Sequence, residues 1–326
     1  LHIGCVCLVW KLISSLLRVH GGVSEKQILY VNFITTLLFA VHPINVEAVA
    51  WISALKVLLY AFFYLLGLLC YLRYIRTSKI FYYVLTIGCF LCSFWGKEQA
   101  VTFPLALLIV DWFTNRNMKN LEVWSEKMSF LSMAFFFGIS TVLSQGKGPY
   151  ERIFPLYQRL LFGCFALVEY ITKSLLPVNL NFFYPFPIVL GEEPPLHYYL
   201  YPVVLLFLMG WIIAYRNNRY LVFGVLLFLV NLLFSIHLFN MSRHAIVADR
   251  YMYLSYVGIA FLIANGIWWL RKRLSYFKAA LVFLFFYCFF LSVYTFHYTK
   301  KWENTTMVKK YTKEVLEKRL NGSNHL

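Results

Sequence analysis

Apolar residues gather in long blocks along this chain, and polar and charged residues are confined to short intervals between them. A helix needs about 20 mostly apolar residues to cross roughly 30 Å of hydrocarbon, and about eleven blocks approach that length. They are residues 1–17, 28–44, 49–72, 80–95, 100–113, 128–143, 160–176, 198–215, 220–239, 253–270 and 277–297. None alternates polar and apolar positions as a membrane β-strand does. The pattern therefore predicts an all-α, polytopic membrane bundle of about 10–11 helices.

The intervals orient the blocks. Arg73, Arg76 and Lys79 follow the third block, and Arg116, Lys119 and Lys127 cluster after the fifth. Arg216 and Arg219 follow the eighth, and Arg271, Lys272, Arg273 and Lys278 the tenth. Such loops are cytoplasmic by the positive-inside rule, which leaves residues 42–47, 181–197 and 239–249 on the opposite face. Parity fails once, because intervals 145–155 and 179–197 both read as non-cytoplasmic and flank the single block 160–176. That block holds Glu169 and Lys173 and follows Arg159, so it is expected to lie at the interface or to dip in and return. Residues 177–197 carry Pro185, Pro187, Pro194 and Pro195 among Phe182, Phe183, Tyr184 and Phe186. Proline fixes the backbone and removes donors, so an ordered, extended loop is expected, its aromatics forming an interfacial belt or lining a substrate entrance.

Composition agrees with this reading. Of 326 residues, 61% are hydrophobic, 20% aromatic and only 13% charged, against roughly 25% charged in soluble domains. A soluble enzyme, a disordered chain and a secreted disulfide scaffold are excluded. The net charge of +16 would suit a nucleic-acid binder, but a mean hydropathy of +0.66 assigns much of the excess to membrane orientation. The lipid bilayer is the expected partner, and no nucleic acid is. Cys89-x-x-Cys92 lies within an apolar block and reads as packing. No metal-binding set and no cofactor is identified.

Three segments carry candidate chemistry. In HPINVEAVAW, residues 42–51, Pro43 stops one helix, Asn45 is positioned to cap the next and Glu47 falls in its first turn. Those roles are structural. His42 and Glu47 also form a polar pair at a helix mouth, where ionisable groups mark sites, and the pair could position an acceptor hydroxyl or take its proton. In WGKEQ, Lys97 and Glu98 either point into water or serve a phosphate, Lys97 facing it and Glu98 orienting the lysine. In SRHAIVADRYMY, residues 242–253, Arg243 and Arg250 with Tyr251 and Tyr253 suit a lipid phosphate. The structural alternative there is an aromatic belt with Arg250 paired to Asp249. Asp111, the only other aspartate, lies inside a block and suits snorkelling or helix pairing better than catalysis.

The strings HPINVEAVAW, GKEQAVTFPLALLIVDW and ADRYMYLSYVG, in that order with apolar spans between, resemble the transmembrane and tetratricopeptide-repeat family. The match is clearest over residues 28–113 and 226–302. Animal members of that family are O-mannosyltransferases acting on cadherins, and a bacterial relative is expected here. The family resembles membrane glycosyltransferases of the C-type fold, which pass a sugar from a polyprenyl-phosphate carrier to a hydroxyl on the lumenal or periplasmic side. The resemblance implies a mannose-like donor, a protein Ser/Thr acceptor, and a home in a bacterial inner membrane or the endoplasmic reticulum. It matches His42, Glu47, Lys97, Glu98, Arg250 and Tyr251 to the family's recurrent polar positions. With the motif chemistry above, Glu47 and His42 are expected to be catalytic, Lys97, Arg250 and Arg243 to hold the donor phosphate, and Glu98, Asp249 and Tyr251 to support them. A transporter or flippase, or a non-catalytic anchor for a repeat scaffold, is the alternative.

Two departures shape the expectation. The family places an Arg and then an acidic residue shortly after the Trp51 position, where this chain has only Lys56. Leu1-His2 also resembles the start of a second span. Residues 1–298 are thus expected to be a membrane domain lacking its first span and catalytic acid. Residues 299–326 are expected to lead into absent tetratricopeptide repeats, and the sequence as it stands to be inactive as a transferase.

Overall fold

The computed structural model describes residues 1–144, 154–181, 183–188, 190–237 and 245–323. It is a helical bundle. Its helices are α1 (His2–His20), α2 (Glu25–Val41), α3 (Val46–Ala50), α4 (Leu55–Thr77), α5 (Ile80–Gly96), α6 (Phe103–Phe113) and α7 (Leu121–Ser144). After these come α8 (Leu156–Leu175), α9 (Leu200–Ala214), α10 (Arg219–Leu232), α11 (Met252–Trp269), α12 (Leu274–Lys300) and α13 (Thr305–Ser323). Among the described residues the only extended pairing is one isolated antiparallel bridge, Tyr184 to Val247.

Five of the described helices are long and apolar enough to cross a bilayer, or six if α2 and the segment Pro43–Ala50, bent by 51°, form one broken span. Helix α11 is the hub. It packs on α10 and α2, and 61% of its span is buried inside the protein, against 6% for the span containing α9. The lipid-facing surface is correspondingly apolar, with Phe207 on α9 and Phe283 and Phe285 on α12 exposed.

Several local expectations change. Helix α2 does stop before Pro43, with His42 extended, as a residue preceding proline must be. Asn45 occupies the cap position of α3 without capping it; its amide donates back to the Phe39 carbonyl at 2.7 Å. The capping side chain is that of His42, whose Nδ1 accepts from the Ile44 amide at 3.2 Å. Block 49–72 is broken at Trp51, which is extended between α3 and a 3-10 turn, Ile52–Ala54. Helix α10 ends at Leu232, short of the expected 239. Helix α8 is not among the apolar spans; it packs against α9 and α11.

The α10–α11 contact is a small-residue crossing. A Cβ on Gly258 would lie 2.5 Å from the Gly224 carbonyl oxygen and 2.7 Å from the Phe228 nitrogen. Backbone cannot yield there cheaply, and small residues are what let membrane helices approach this closely. Gly258→Leu is expected to lower stability by about 1–3 kcal/mol, the usual cost of overpacking. Gly266→Ala, on the same helix with nothing within 4 Å of its Cβ, is expected to leave stability unchanged or slightly raised. Thermal unfolding of both variants in detergent checks the contrast, and equal effects would refute it.

Candidate functional site

The three motif segments, far apart in sequence, converge on one 3-10 turn, Asp249–Tyr251, which leads into α11. Such a turn has three residues per revolution, so its three side chains point in three directions. Each meets a different part of the fold.

Arg250 meets Glu47. The glutamate sits in the first turn of α3 and is fully buried. Its Oε2 accepts from the Arg250 backbone amide at 2.7 Å, and its Oε1 from Arg250 Nη1 at 2.5 Å. The guanidinium also lies 5.5 Å from the Trp51 ring centre and 5.2 Å from that of Tyr251. Arg250 keeps 24% side-chain exposure, so one side of the guanidinium remains open.

Asp249 meets α8 and the proline-rich loop. Buried completely, it pairs with Lys173 Nζ at 3.2 Å and accepts the Tyr184 hydroxyl at 2.9 and 3.0 Å. Lys173 also lies 3.5 Å from the Tyr184 ring centre and 3.8 Å from Glu169. The loop is therefore tied inward at Tyr184 and is not an aromatic belt at that position. The alternative pairing of Arg250 with Asp249 is replaced by two separate ion pairs. Sequence reading missed Lys173 and Tyr184 as members of this site. The available signal was Lys173 in a largely apolar helix, where an ionisable group needs a partner.

Tyr251 meets Lys97. Helix α5 ends at Gly96, where a Cβ would sit 2.6 Å from the Tyr60 nitrogen of α4. Only glycine allows that approach, and it fixes where Lys97 departs. The Lys97 side chain is 5% exposed, and its Nζ lies 4.4 Å from the Tyr251 ring centre. That Nζ has no hydrogen-bond partner among the described residues. Burial pushes the ammonium down to about 7, against the charge of Glu98, which raises it; Arg250 and Lys56 lower it further. Glu98 is half-buried at the start of the following 3-10 turn.

The other expected residues fall elsewhere. His42 is almost wholly buried against Tyr256, ring centres 4.2 Å apart. Its described contacts do not include Glu47, so the expected polar pair is not brought together. Arg243 lies outside the described residues. Asp111 pairs with Lys127 and with Arg116 at 3.2 Å, and accepts the Tyr71 hydroxyl at 2.8 Å. It therefore ties α6 to α7 and α4, the helix-pairing role. Among the described residues no three His, Cys, Asp or Glu side chains group to hold a metal ion.

A buried ammonium with no hydrogen-bond partner among the described residues and a partly exposed guanidinium, both beside the Tyr251 ring, are chemically suited to an anion, most simply a phosphate. Comparison with known proteins found partial relatives. The chain is 31% identical over 123 residues to protein O-mannosyl-transferase tmtc2 of Xenopus laevis. It is 32% identical over 124 residues to TMTC2 of Homo sapiens and, equally, to that of Mus musculus. These matches cover 35–36% of this chain and only 14–15% of the relatives' length. All three are vertebrate proteins and lend no support to a bacterial origin. No protein-family model matches the chain, and no solved structure does.

The lysine supplies a pH signature. Its pKa is lower folded than unfolded, so between about 7 and the ordinary lysine range near 10.5 the unfolded chain binds the extra proton. Stability contributed by this group therefore rises with pH through that window, and its cost is fully present below it. Lys97→Met is expected to remove that rise. Chemical unfolding of both proteins from pH 7 to 10 measures it, and parallel curves would refute the assignment.

Proposed function

We propose that this protein is a membrane glycosyltransferase that moves a mannose-like sugar from a polyprenyl-phosphate donor to a Ser/Thr hydroxyl of an acceptor protein on the non-cytoplasmic face. The observation that carries the reading is the convergence of Lys97, Arg250 and Tyr251 at one helix mouth. The partial similarity to protein O-mannosyl-transferases supports the reaction class.

In this mechanism the acceptor oxygen bonds to the anomeric carbon while the bond from that carbon to the phosphate oxygen breaks. The electron pair leaves with the lipid phosphate. Lys97 and Arg250 clamp the charge that develops there, as preorganised cations in a dry site do most effectively. Glu47 acts as a positioning residue: both its oxygens are committed to Arg250, which fixes the guanidinium before the donor arrives. The hydroxyl proton passes to a carboxylate. Glu98 has no ion pair among the described residues and takes that role in this proposal. His42 serves the fold by capping the turn after Pro43.

A transporter would share one feature, the bent pair formed by α2 and Pro43–Ala50, since broken helices line transport sites. The assay separates the two readings by its product, a glycosylated acceptor. Lys97→Ala and Arg250→Ala, made in the full-length protein, are each expected to lower transfer from a polyprenyl-phosphate mannose donor to a Ser/Thr peptide by about a hundredfold or more. Glu98→Gln is expected to lower turnover while donor binding persists. Undiminished transfer in both cation variants would sink the phosphate clamp.

A further inference from the structure

A long apolar crevice lies away from this site. Helix α9 buries none of its residues and joins the bundle through α8 and the turn before it. Between α9 and the α10–α11 pair runs a groove of about 850 Å³. Its walls are apolar, with Leu208 and Ile212 on one side and Leu229 and Leu262 on the other, and no Asp or Glu lines it. At one end it reaches Arg271 and Lys272, beside Trp268 and Trp269. Arg271 is held 4.2 Å from the Trp268 ring centre.

We propose that this groove binds an anionic glycerophospholipid of the cytoplasmic leaflet, with its phosphate on Arg271 and Lys272 and its acyl chains along α9 and α10. Four observations select that occupant. Water gains too few hydrogen bonds in an apolar crevice to fill it, whereas hydrocarbon fills it without desolvating anything. The cationic end belongs to the basic stretch Arg271–Arg273 between α11 and α12, which the positive-inside rule puts on the cytoplasmic side. That leaflet carries the anionic lipids, and basic pockets between membrane helices are where their headgroups settle. Trp268 and Trp269 line the groove beside these cations, the placement of aromatic rings favoured at headgroup level.

The site is distinct from the phosphate clamp. Helix α11 begins next to Arg250 and Tyr251 and ends beside Leu270 and Arg271. Its 18 residues separate the two ends by about 27 Å. The proposal rests on the membrane reading alone and stands whether or not the transferase reading does.

The test is native mass spectrometry of the detergent-purified protein titrated with palmitoyl-oleoyl phosphatidylglycerol or phosphatidylcholine. Wild type is expected to retain phosphatidylglycerol in preference. The double variant Arg271→Ala/Lys272→Ala is expected to weaken that preference by roughly thirtyfold, the combined effect of two surface cations. A Cβ on Gly266 meets nothing within 4 Å, and this glycine lines the groove. Gly266→Phe is therefore expected to fill the groove and release both lipids while helical content stays at the wild-type level. Equal retention of the two lipids by wild type would overturn the proposal, as would an undiminished phosphatidylglycerol preference in both variants.

Discussion

The ion pair between Glu47 and Arg250 ties the two halves of the chain together across 203 positions. Removing one partner of such a buried pair costs about 3–5 kcal/mol, because the survivor keeps its desolvation penalty. The pair also fixes geometry. Arg250 is bound by its side chain and by its backbone amide, so the turn Asp249–Tyr251 cannot rotate without losing both contacts. With Arg250 fixed, Asp249 faces Lys173 and Tyr184, and Tyr251 faces Lys97. The proline-rich loop, helix α8 and the end of helix α5 are all positioned from this one turn.

Among the described residues, buried charge follows a rule with one informative exception. At the other candidate cluster, Asp111 and Glu126 meet Lys127 and Arg116, and Tyr71 adds its hydroxyl. Charges there cancel within the protein, which suits a strut between helices. At the Asp249 turn the acids Glu47 and Asp249 likewise have cationic partners. Lys97 differs. It is nearly as buried as these groups, yet its Nζ lies over the Tyr251 ring among charges of both signs, Glu98 opposing Arg250 and Lys56, and has no hydrogen-bond partner among the described residues. A buried ammonium without an acceptor is costly, and an anionic ligand would supply the missing acceptor. That asymmetry separates a binding site from a structural network of similar composition.

How much of this was legible in sequence depended on whether the cause was local. The helical blocks, the stop at Pro43 and the placement of Glu47 in a first helical turn all follow from nearest neighbours, and the structure has them. The break at Trp51 was hidden, because no proline or glycine marks it and the apolar block runs straight through. The capping swap between Asn45 and His42 was also hidden, since either side chain can accept a backbone amide and tertiary packing decides which one does. Pairings across the chain were beyond sequence reading in a different way. Arg250 has an acid immediately before it, and only the fold reveals that Asp249 turns towards Lys173 while Arg250 turns towards Glu47. The motif strings nevertheless named Glu47, Lys97, Arg250 and Tyr251, because ionisable groups at helix mouths are too costly to be there without a partner or a task.

Helix α8 connects the turn to the lipid-facing groove. Leu167 and Ile171 line the groove, and Lys173, two positions on, pairs with Asp249. An amphipathic helix with charged residues gains little from burial in lipid alone, so its position depends on what lies against each face. One face is held by the ion pair and by Tyr170, whose hydroxyl accepts the Ala248 amide at 3.1 Å. The other borders a crevice that the protein does not fill. Material occupying that crevice would press α8 towards α11 and favour the geometry in which Lys173 meets Asp249. Leaving it empty would cost α8 its packing on that side. If the proposed lipid fills the groove, the stiffness of the Asp249–Tyr251 turn, and with it the aim of Arg250, would be set partly by the membrane itself.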